Sequence, residues 1–283
     1  MPVKLPPALQ LSLGLLRCPT CRTRRLHPGR GALRCPVGHT FDIARHGYAG
    51  LLTGTRATSG DDTAMVQARN RFLSTGAYAP IRDAGARLAA DAAAEQATVV
   101  DVGCGTGYYL AGVLDRLPGA RGLGLDTSVR ALRSAARAHD RAAAVAWDVF
   151  RPLPLADGVA DVVLDVFAPR NPAEFHRVLR PTGRLIVVRP TPRHLVELRD
   201  RLPAMVTIDP AKEQRLHRAL DPFFEGIVTE QVEYTAPLTR PDAQDLVTMT
   251  PSARHVSRAD LNDDGLLPDE VTVSALATAY QPR

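Results

Sequence analysis

A β-branched run that drives straight into three alternating glycines, Ala97-Thr-Val-Val-Asp101-Val-Gly103-Cys104-Gly105-Thr106-Gly107, leaves this chain few folds to choose from. Thr98 to Val102 read as a buried strand and the apolar spacing from Tyr108 to Leu117 as a helix, so the glycines must turn one into the other. Gly103, Gly105 and Gly107 let the main chain approach a ligand where a Cβ would collide, and the new helix offers free N–H groups at its start. The spacing G-x-G-x-G lacks the later glycine of the dinucleotide fingerprint. Arg121 to Asp126 reads as a second strand ending in an acid about 20 residues after the loop, where a carboxylate can accept the hydroxyls of a ribose. Ala142 to Trp147, followed by Asp148, makes a third strand; Val159 to Leu164 and Gly183 to Val188 supply a fourth and fifth, with helical stretches between. This alternation predicts an α/β fold with a Rossmann-like, doubly wound parallel sheet and a ligand at the carboxyl ends of its first strands.

A second constellation lies upstream. Cys18-Pro-Thr-Cys21 and Cys35-Pro-Val-Gly-His39 give C-x2-C-x13-C-x3-H, three of the chain's four cysteines within one short segment. Proline and glycine make tight knuckles that aim paired thiolates at one ion, and four such donors suit tetrahedral Zn²⁺ with no open position. A closed site is structural, and so short a segment needs the metal's free energy to fold. A disulfide is the rival reading, and the odd number of thiols in the segment speaks against it. One structural zinc per chain is expected, with Cys104 outside the site because it lies in the glycine loop. Charge concentrates here too. Residues 1–55 hold eight basic side chains and one acid, +7 of a chain whose net charge is only +5, so the other 228 residues sum to −2. Nearly all of that charge is arginine, which can fork onto phosphates and stack on bases. At 45% hydrophobic and 23% charged, the composition is that of a globular protein, and no apolar run approaches the roughly 20 residues of a membrane span. Leu9 to Leu16 is apolar but short, and reads as a tail or packing segment rather than a signal peptide. The expectation is a soluble, cytoplasmic protein.

The Asp101–Gly107 loop, Asp126 and a Leu179-Arg-Pro-Thr-Gly-Arg-Leu185 turn before the fifth strand resemble class I S-adenosylmethionine-dependent methyltransferases. Cys18 to Gly50, with Gly38 to Tyr48 within it, Gly60-Asp61 to Arg69, Ala77 to Asp83, Phe167-Ala-Pro169, Thr191 to Leu198 and Met249-Thr-Pro251 resemble, in order, the bacterial 23S rRNA (guanine-N1)-methyltransferases of the RlmA family, from about residue 17 to 255. That resemblance implies a zinc-ribbon-like module, a Rossmann-type catalytic domain, S-adenosylmethionine as methyl donor, and a homodimer that grips a 23S rRNA hairpin. Cys18, Cys21, Cys35 and His39 match the family's metal ligands; Tyr78, Gly105, Thr106 and His194 match positions that contact the donor. It also implies a guanine in a loop lining the peptide exit tunnel and, for one branch that resembles tylosin-resistance enzymes, macrolide resistance.

The residues carry roles with stated rivals. Asp101 and Gly103 either shape a strand end or hold the donor, the acid facing its ammonium group. Asp126 either caps a helix beginning near Ser128 or binds ribose. Asp148 suits the adenine edge of the donor. Guanine N1 is protonated at neutral pH, so the base must leave its stack and lose that proton to Asp148, to Asp165, to a carbonyl between residues 167 and 169, or to water. Phe167 and Tyr78 are candidate stacking surfaces. The domain division expected is 1–55 for a zinc-binding RNA-recognition module, 56–85 for a connecting segment contributing to the donor site, and 86–283 for the methyltransferase; residues 205–283 gain no role from sequence. Two rival functions stand beside this one. A small-metabolite methyltransferase would show no salt-steep RNA binding, and a non-catalytic zinc-ribbon RNA-binding or assembly protein would have no need of an intact donor loop and Asp126.

Overall fold

Pro7 opens a first helix, α1 (Pro7–Ser12), and the apolar stretch around it is a packing segment, with Leu9 and Leu16 fully buried. The computed structural model describes residues 5–22, 24–54, 60–206, 212–263 and 265–283. After α1 come three short strands, β1 (His27–Pro28), β2 (Ala32–Arg34) and β3 (Thr40–Asp42), paired antiparallel in a small sheet of their own. A further strand, β4 (Ala49–Gly50), leaves that sheet and reaches the main one. The expected boundary between residues 55 and 56 lies outside the described residues.

Two helices precede the glycine loop. In α2 (Thr63–Ser74) the Asp62 carboxylate caps the N-terminus by accepting the Met65 N–H at 2.9 Å; α3 (Ala79–Ala90) begins with Pro80 in its first turn. The alternation then runs as expected: β5 (Thr98–Val102), α4 (Tyr108–Arg116), β6 (Arg121–Asp126), α5 (Val129–Ala135), β7 (Ala142–Ala146), β8 (Ala160–Val166), α6 (Pro172–Val178) and β9 (Leu179–Pro190). The Leu179–Leu185 stretch, expected as a turn, is extended instead. It forms the start of β9, and a register shift opposite Ala160 and Val162 absorbs its irregularity. The rest of the chain is α7 (Val196–Arg201), α8 (Lys212–Leu220), β10 (Phe224–Pro237), α9 (Arg240–Thr248), a 3₁₀ turn at Pro251–Arg254, α10 (Arg258–Asn262) and β11 (Glu270–Pro282).

The main sheet runs β10-β11-β9-β8-β5-β6-β7-β4. Strands β4 to β9 within it are parallel, and β11 enters antiparallel between β9 and β10. The winding reverses at β5, which lies between β6 and β8, so a crevice opens beyond the carboxyl end of β5 where the glycine loop begins. One face of the sheet packs Val99, Val162 and Ile186 against Phe72, Ile81 and Leu110 from α2, α3 and α4. The other face packs Val100, Leu123 and Val145 into the same apolar cluster as Leu9, Leu16, Cys18, Phe41 and Leu51. The zinc module and the catalytic sheet therefore share one core. Their join is also hydrogen-bonded: β4 pairs with β7 through Ala49 and Val145, and the Arg17 N–H donates to the Pro154 carbonyl at 2.8 Å. No helix among the described residues is long and apolar enough to cross a membrane.

Candidate active site and zinc centre

The predicted metal ligands come together. The donor atoms of Cys18, Cys21, Cys35 and His39 all lie within 4.8 Å of one another, with Cys18 Sγ 3.5 Å from His39 Nδ1 and Cys21 Sγ 3.3 Å from Cys35 Sγ. Three thiols and one imidazole nitrogen at such separations are the donor set and spacing of a tetrahedral Zn²⁺ site, and Nδ1 is the nitrogen turned inward. The first knuckle is built for a thiolate. Burial pushes the Cys18 thiol up, but the backbone N–H groups of Cys21 and Thr20, with the neighbouring thiols, outweigh it and hold it below its ordinary value. Cys104 lies apart in the glycine loop, where burial raises its thiol well above the usual range.

In that loop Gly103, Gly105 and Gly107 all take positive φ (82°, 52° and 84°), which residues with a side chain rarely adopt. Gly103 and Gly107 are also sterically required: a Cβ on Gly103 would sit 2.5 Å from the Ala168 Cβ, and one on Gly107 2.8 Å from the Ala138 Cβ. Gly105 differs, since a Cβ there would meet only Arg69 Nη1, at 3.4 Å. Asp126 secures the loop, one oxygen accepting the Gly105 N–H at 2.8 Å and the other the Ser128 N–H at 2.7 Å. The helix cap itself is Ser128, whose hydroxyl accepts the Ala131 N–H. Thr106 is buried within the turn.

Asp101 is buried at the end of β5, and its Oδ2 has no hydrogen-bond partner among the described residues. Burial, then Asp126 and Asp165, raise its carboxyl well above the ordinary range. An orphaned acceptor beside two more carboxylates is matched by a cation, and S-adenosylmethionine brings an ammonium and a sulfonium. Together with the glycine cradle, that fits the chain's residues to this donor.

Across the crevice stands an aromatic wall. Phe167 follows β8 with φ at +53°, a strained backbone for a bulky residue, and remains 38% exposed. Its ring stacks on His194 at 5.9 Å and 25°, while Tyr78 lies 6.4 Å away and Tyr109 6.3 Å. His194 is fixed at both nitrogens: the Ser274 N–H of β11 donates to Nδ1 at 3.2 Å, and Nε2 lies 3.1 Å from the Tyr78 hydroxyl. Because Nδ1 accepts, the neutral ring carries its proton on Nε2 and donates it to Tyr78. Burial, reinforced by Arg199, keeps the imidazole neutral by pulling its pKa down to about 4. Asp148 stands apart from this wall, half-buried beyond β7, accepting the Phe150 N–H at 3.0 Å with Arg151 at 3.8 Å. Asp165 is fully buried, with Arg170 Nε 3.1 Å from its Oδ1.

Sequence reasoning passed over Arg69. It pairs with Asp61 and donates to the Met249 carbonyl at 2.6 Å, the Asp61 carbonyl accepts the Ser128 hydroxyl at 2.8 Å, and Arg254 reaches the Gly60 carbonyl at 3.2 Å. Segments from early, middle and late in the chain thus close over the donor loop. The only signal in the sequence is that Gly60–Arg69 and Met249–Pro251 both belong to the resemblance without an assigned task.

Sheet order, glycine cradle and cysteine knuckles define an S-adenosylmethionine-dependent methyltransferase carrying a structural zinc ribbon. Comparison with known proteins agrees in both halves: the family described as "RlmA, N-terminal" matches residues 16–56, and "Methyltransferase domain" matches residues 99–183. The chain is 45% identical over 273 residues to the 23S rRNA (guanine(748)-N(1))-methyltransferase of Streptomyces fradiae, covering 94% of this chain and 96% of that one. It is 46% identical over 288 residues to a protein of Micromonospora griseorubida named for 23S rRNA (guanine-N1) methylation, covering 94% and 97%. Among solved structures, a Haloferax volcanii methyltransferase complexed with the activator Trm112 shares the fold, at TM-score 0.51 and 20% identity over 79% of this chain and 99% of that one. The chain belongs to the 23S rRNA (guanine-N1)-methyltransferase family.

Proposed function

We propose that this enzyme methylates N1 of a guanine in a 23S rRNA hairpin loop lining the peptide exit tunnel, with macrolide resistance as the consequence. The observation that carries the reading is the near full-length similarity to the Streptomyces fradiae enzyme, whose target is guanine 748, with the zinc ligands and donor loop both intact. S-adenosylmethionine supplies an electrophilic methyl group. Gly103, Gly105, Thr106 and Gly107 cradle the donor; the Asp126 carboxylate accepts its ribose hydroxyls and Asp101 its ammonium. Tyr78, oriented by His194, closes the pocket. Phe167, exposed on its strained turn, stacks on the extruded guanine. Asp148 serves the adenine edge and is one acceptor open to the N1 proton, beside Asp165, a carbonyl between residues 167 and 169, and water; both carboxylates face a guanidinium, Asp148 at 3.8 Å and Asp165 at 3.1 Å. In-line positioning of the guanine does most of the catalysis.

The domain reading is a basic RNA-recognition module over residues 1–55, a connecting segment over 56–85 that reaches the donor site, and the methyltransferase beyond. The working enzyme is a homodimer acting in the cytoplasm, where ribosomes are assembled. The test is expression in a macrolide-sensitive host, with N1-methylguanine mapped by primer-extension stops. The expected result is a new stop at the tunnel-lining loop and reduced sensitivity to macrolides. Stops elsewhere, or no change in sensitivity to any macrolide, refute the target or the resistance role respectively.

A further inference from the structure

Several arginines beyond the zinc module have acidic partners: Arg71 with Asp245, Arg87 with Glu230, Arg180 with Asp161, Arg189 with Glu213. Four that lie together do not. Arg45 of the zinc module, Arg130 and Arg133 of α5, and Arg137 just beyond are exposed, and none takes part in an ion pair among the described residues. A spacing of three places Arg130 and Arg133 on one face of α5, and a turn carries the chain on to Arg137, whose N–H donates to the Ser134 carbonyl at 2.9 Å. The zinc-module corner is seated on the same helix end: a Cβ on Gly47 would lie 3.6 Å from the Ala136 Cβ. Between them stands His46, whose Nε2 accepts from Arg45 Nε at 3.2 Å. Local desolvation and then Arg45, Arg133 and Arg137 hold that imidazole below its ordinary value, so three positive charges from two modules converge on one ring.

A helix C-terminus favours a cation, which accounts for Arg133 and Arg137 but not for Arg45 arriving from another module. Like charges gathered with no acid among them repel, and a polyanion laid across them relieves that repulsion. We propose that Arg45, Arg130, Arg133 and Arg137 form one phosphate-binding surface, continuous from the zinc module onto the catalytic domain, that grips the RNA backbone beside the donor loop. The inference rests on the rRNA reading above. The surface borders the donor site because Gly107 packs against Ala135 and Ala138, the immediate neighbours of these arginines. A strand held there is fixed relative to both the zinc module and the methyl donor.

The test uses the full-length protein with all four arginines changed to glutamine, and an rRNA hairpin carrying the target loop, titrated by fluorescence anisotropy from about 50 to 200 mM salt. The expected result is weaker binding and a log–log salt slope shallower by about 0.7 to 0.9 for each phosphate no longer neutralised. Thermal stability and S-adenosylhomocysteine affinity should stay at the wild-type level, because these side chains are exposed and outside the pocket. An unchanged slope and affinity in the quadruple variant, with wild-type binding salt-steep, overturns this surface while leaving the rRNA reading intact. Salt-independent or absent RNA binding by the wild-type enzyme overturns the rRNA reading and this surface with it.

Discussion

Replacing Gly105 by alanine should separate donor binding from folding, because the three loop glycines are required for different reasons. At φ of +52° an alanine is strained by about 1–2 kcal/mol. Its Cβ would meet only Arg69 Nη1, at an ordinary contact distance of 3.4 Å, so little further packing cost follows. At Gly103 and Gly107 the same strain is joined by approaches of 2.5 and 2.8 Å to alanine Cβ atoms that cannot rotate away. Overpacking of that kind adds about 1–3 kcal/mol. With about 2–4 °C of melting temperature per kcal/mol for a chain somewhat smaller than this one, Gly105→Ala should melt a few degrees below wild type and Gly103→Ala or Gly107→Ala well below it. Donor affinity should rank the other way per unit of stability given up. If the donor lies over this loop, a Gly105 Cβ would meet it, and a binding penalty of about 1.4 kcal/mol is already a tenfold weaker complex. Calorimetric titration with S-adenosylhomocysteine, paired with a thermal scan, reads both quantities on the same samples. A folded Gly105→Ala protein that binds S-adenosylhomocysteine as tightly as wild type would place the donor elsewhere and refute the reasoning.

Removing zinc should loosen the whole chain rather than the first module alone, since Cys18 and Phe41 share a core with Val100 and Leu123; apparent zinc-site free energies of about 10–16 kcal/mol match or exceed a typical domain's net stability. Near-ultraviolet circular dichroism and S-adenosylhomocysteine binding after chelation, or in Cys35→Ala, would show both declining together, and a metal-free protein with wild-type donor affinity would contradict it. His194 titrates near 4 instead of 6.5, so between those values the unfolded chain binds a proton that the folded chain does not. Stability should therefore fall as pH drops through that window, by up to about 1.4 kcal/mol per unit. Asp101 and Asp126, raised by burial, run in the opposite sense, so the check is the difference in denaturation midpoints between wild type and His194→Asn, which should vanish in slope above pH 6.5. Tyr78→Phe leaves the buried Nε2–H of His194 without its acceptor and should cost about 1–3 kcal/mol in urea denaturation. Asp126→Ala frees the Gly105 N–H and should weaken S-adenosylhomocysteine binding at least tenfold, as read by calorimetry.

The parts legible in the sequence were those whose signals are local. The run from Thr98 to Gly107 announces a strand, a turn that only glycine can make, and a helix, and Cys18, Cys21, Cys35 and His39 are spaced so that two knuckles suffice to join them. What stayed hidden depends on partners far along the chain. In β11, Val271, Val273, Ala275, Ala277 and Ala279 alternate inward, but small residues give a weak pattern, and the strand's partners, Leu185–Pro190 and Phe224–Pro237, are separated from it by helices or lie almost a hundred residues away. The two residues of β4 are too short to carry any period, and only their pairing with Val145 and Ala146 makes them a strand. Arg69 likewise reads as one more arginine until Asp61 and Met249 are brought beside it.

That hidden joinery bears on how a methyl group reaches one guanine among many. A ribbon tethered by a flexible linker would bring RNA near the donor without fixing the angle, and an effective concentration alone cannot align N1 with the departing sulfur. Here the ribbon contributes a strand to the catalytic sheet, a backbone bond at Arg17 and side chains to the core beneath β5 and β6, the strands that carry Asp101 and Asp126. The distance from the zinc knuckles to the donor loop is thus set by packing, so on the proposed reading phosphates held on the ribbon and on α5 would define the position of the extruded base. On that reading zinc would act on catalysis through this geometry, without touching a reacting atom.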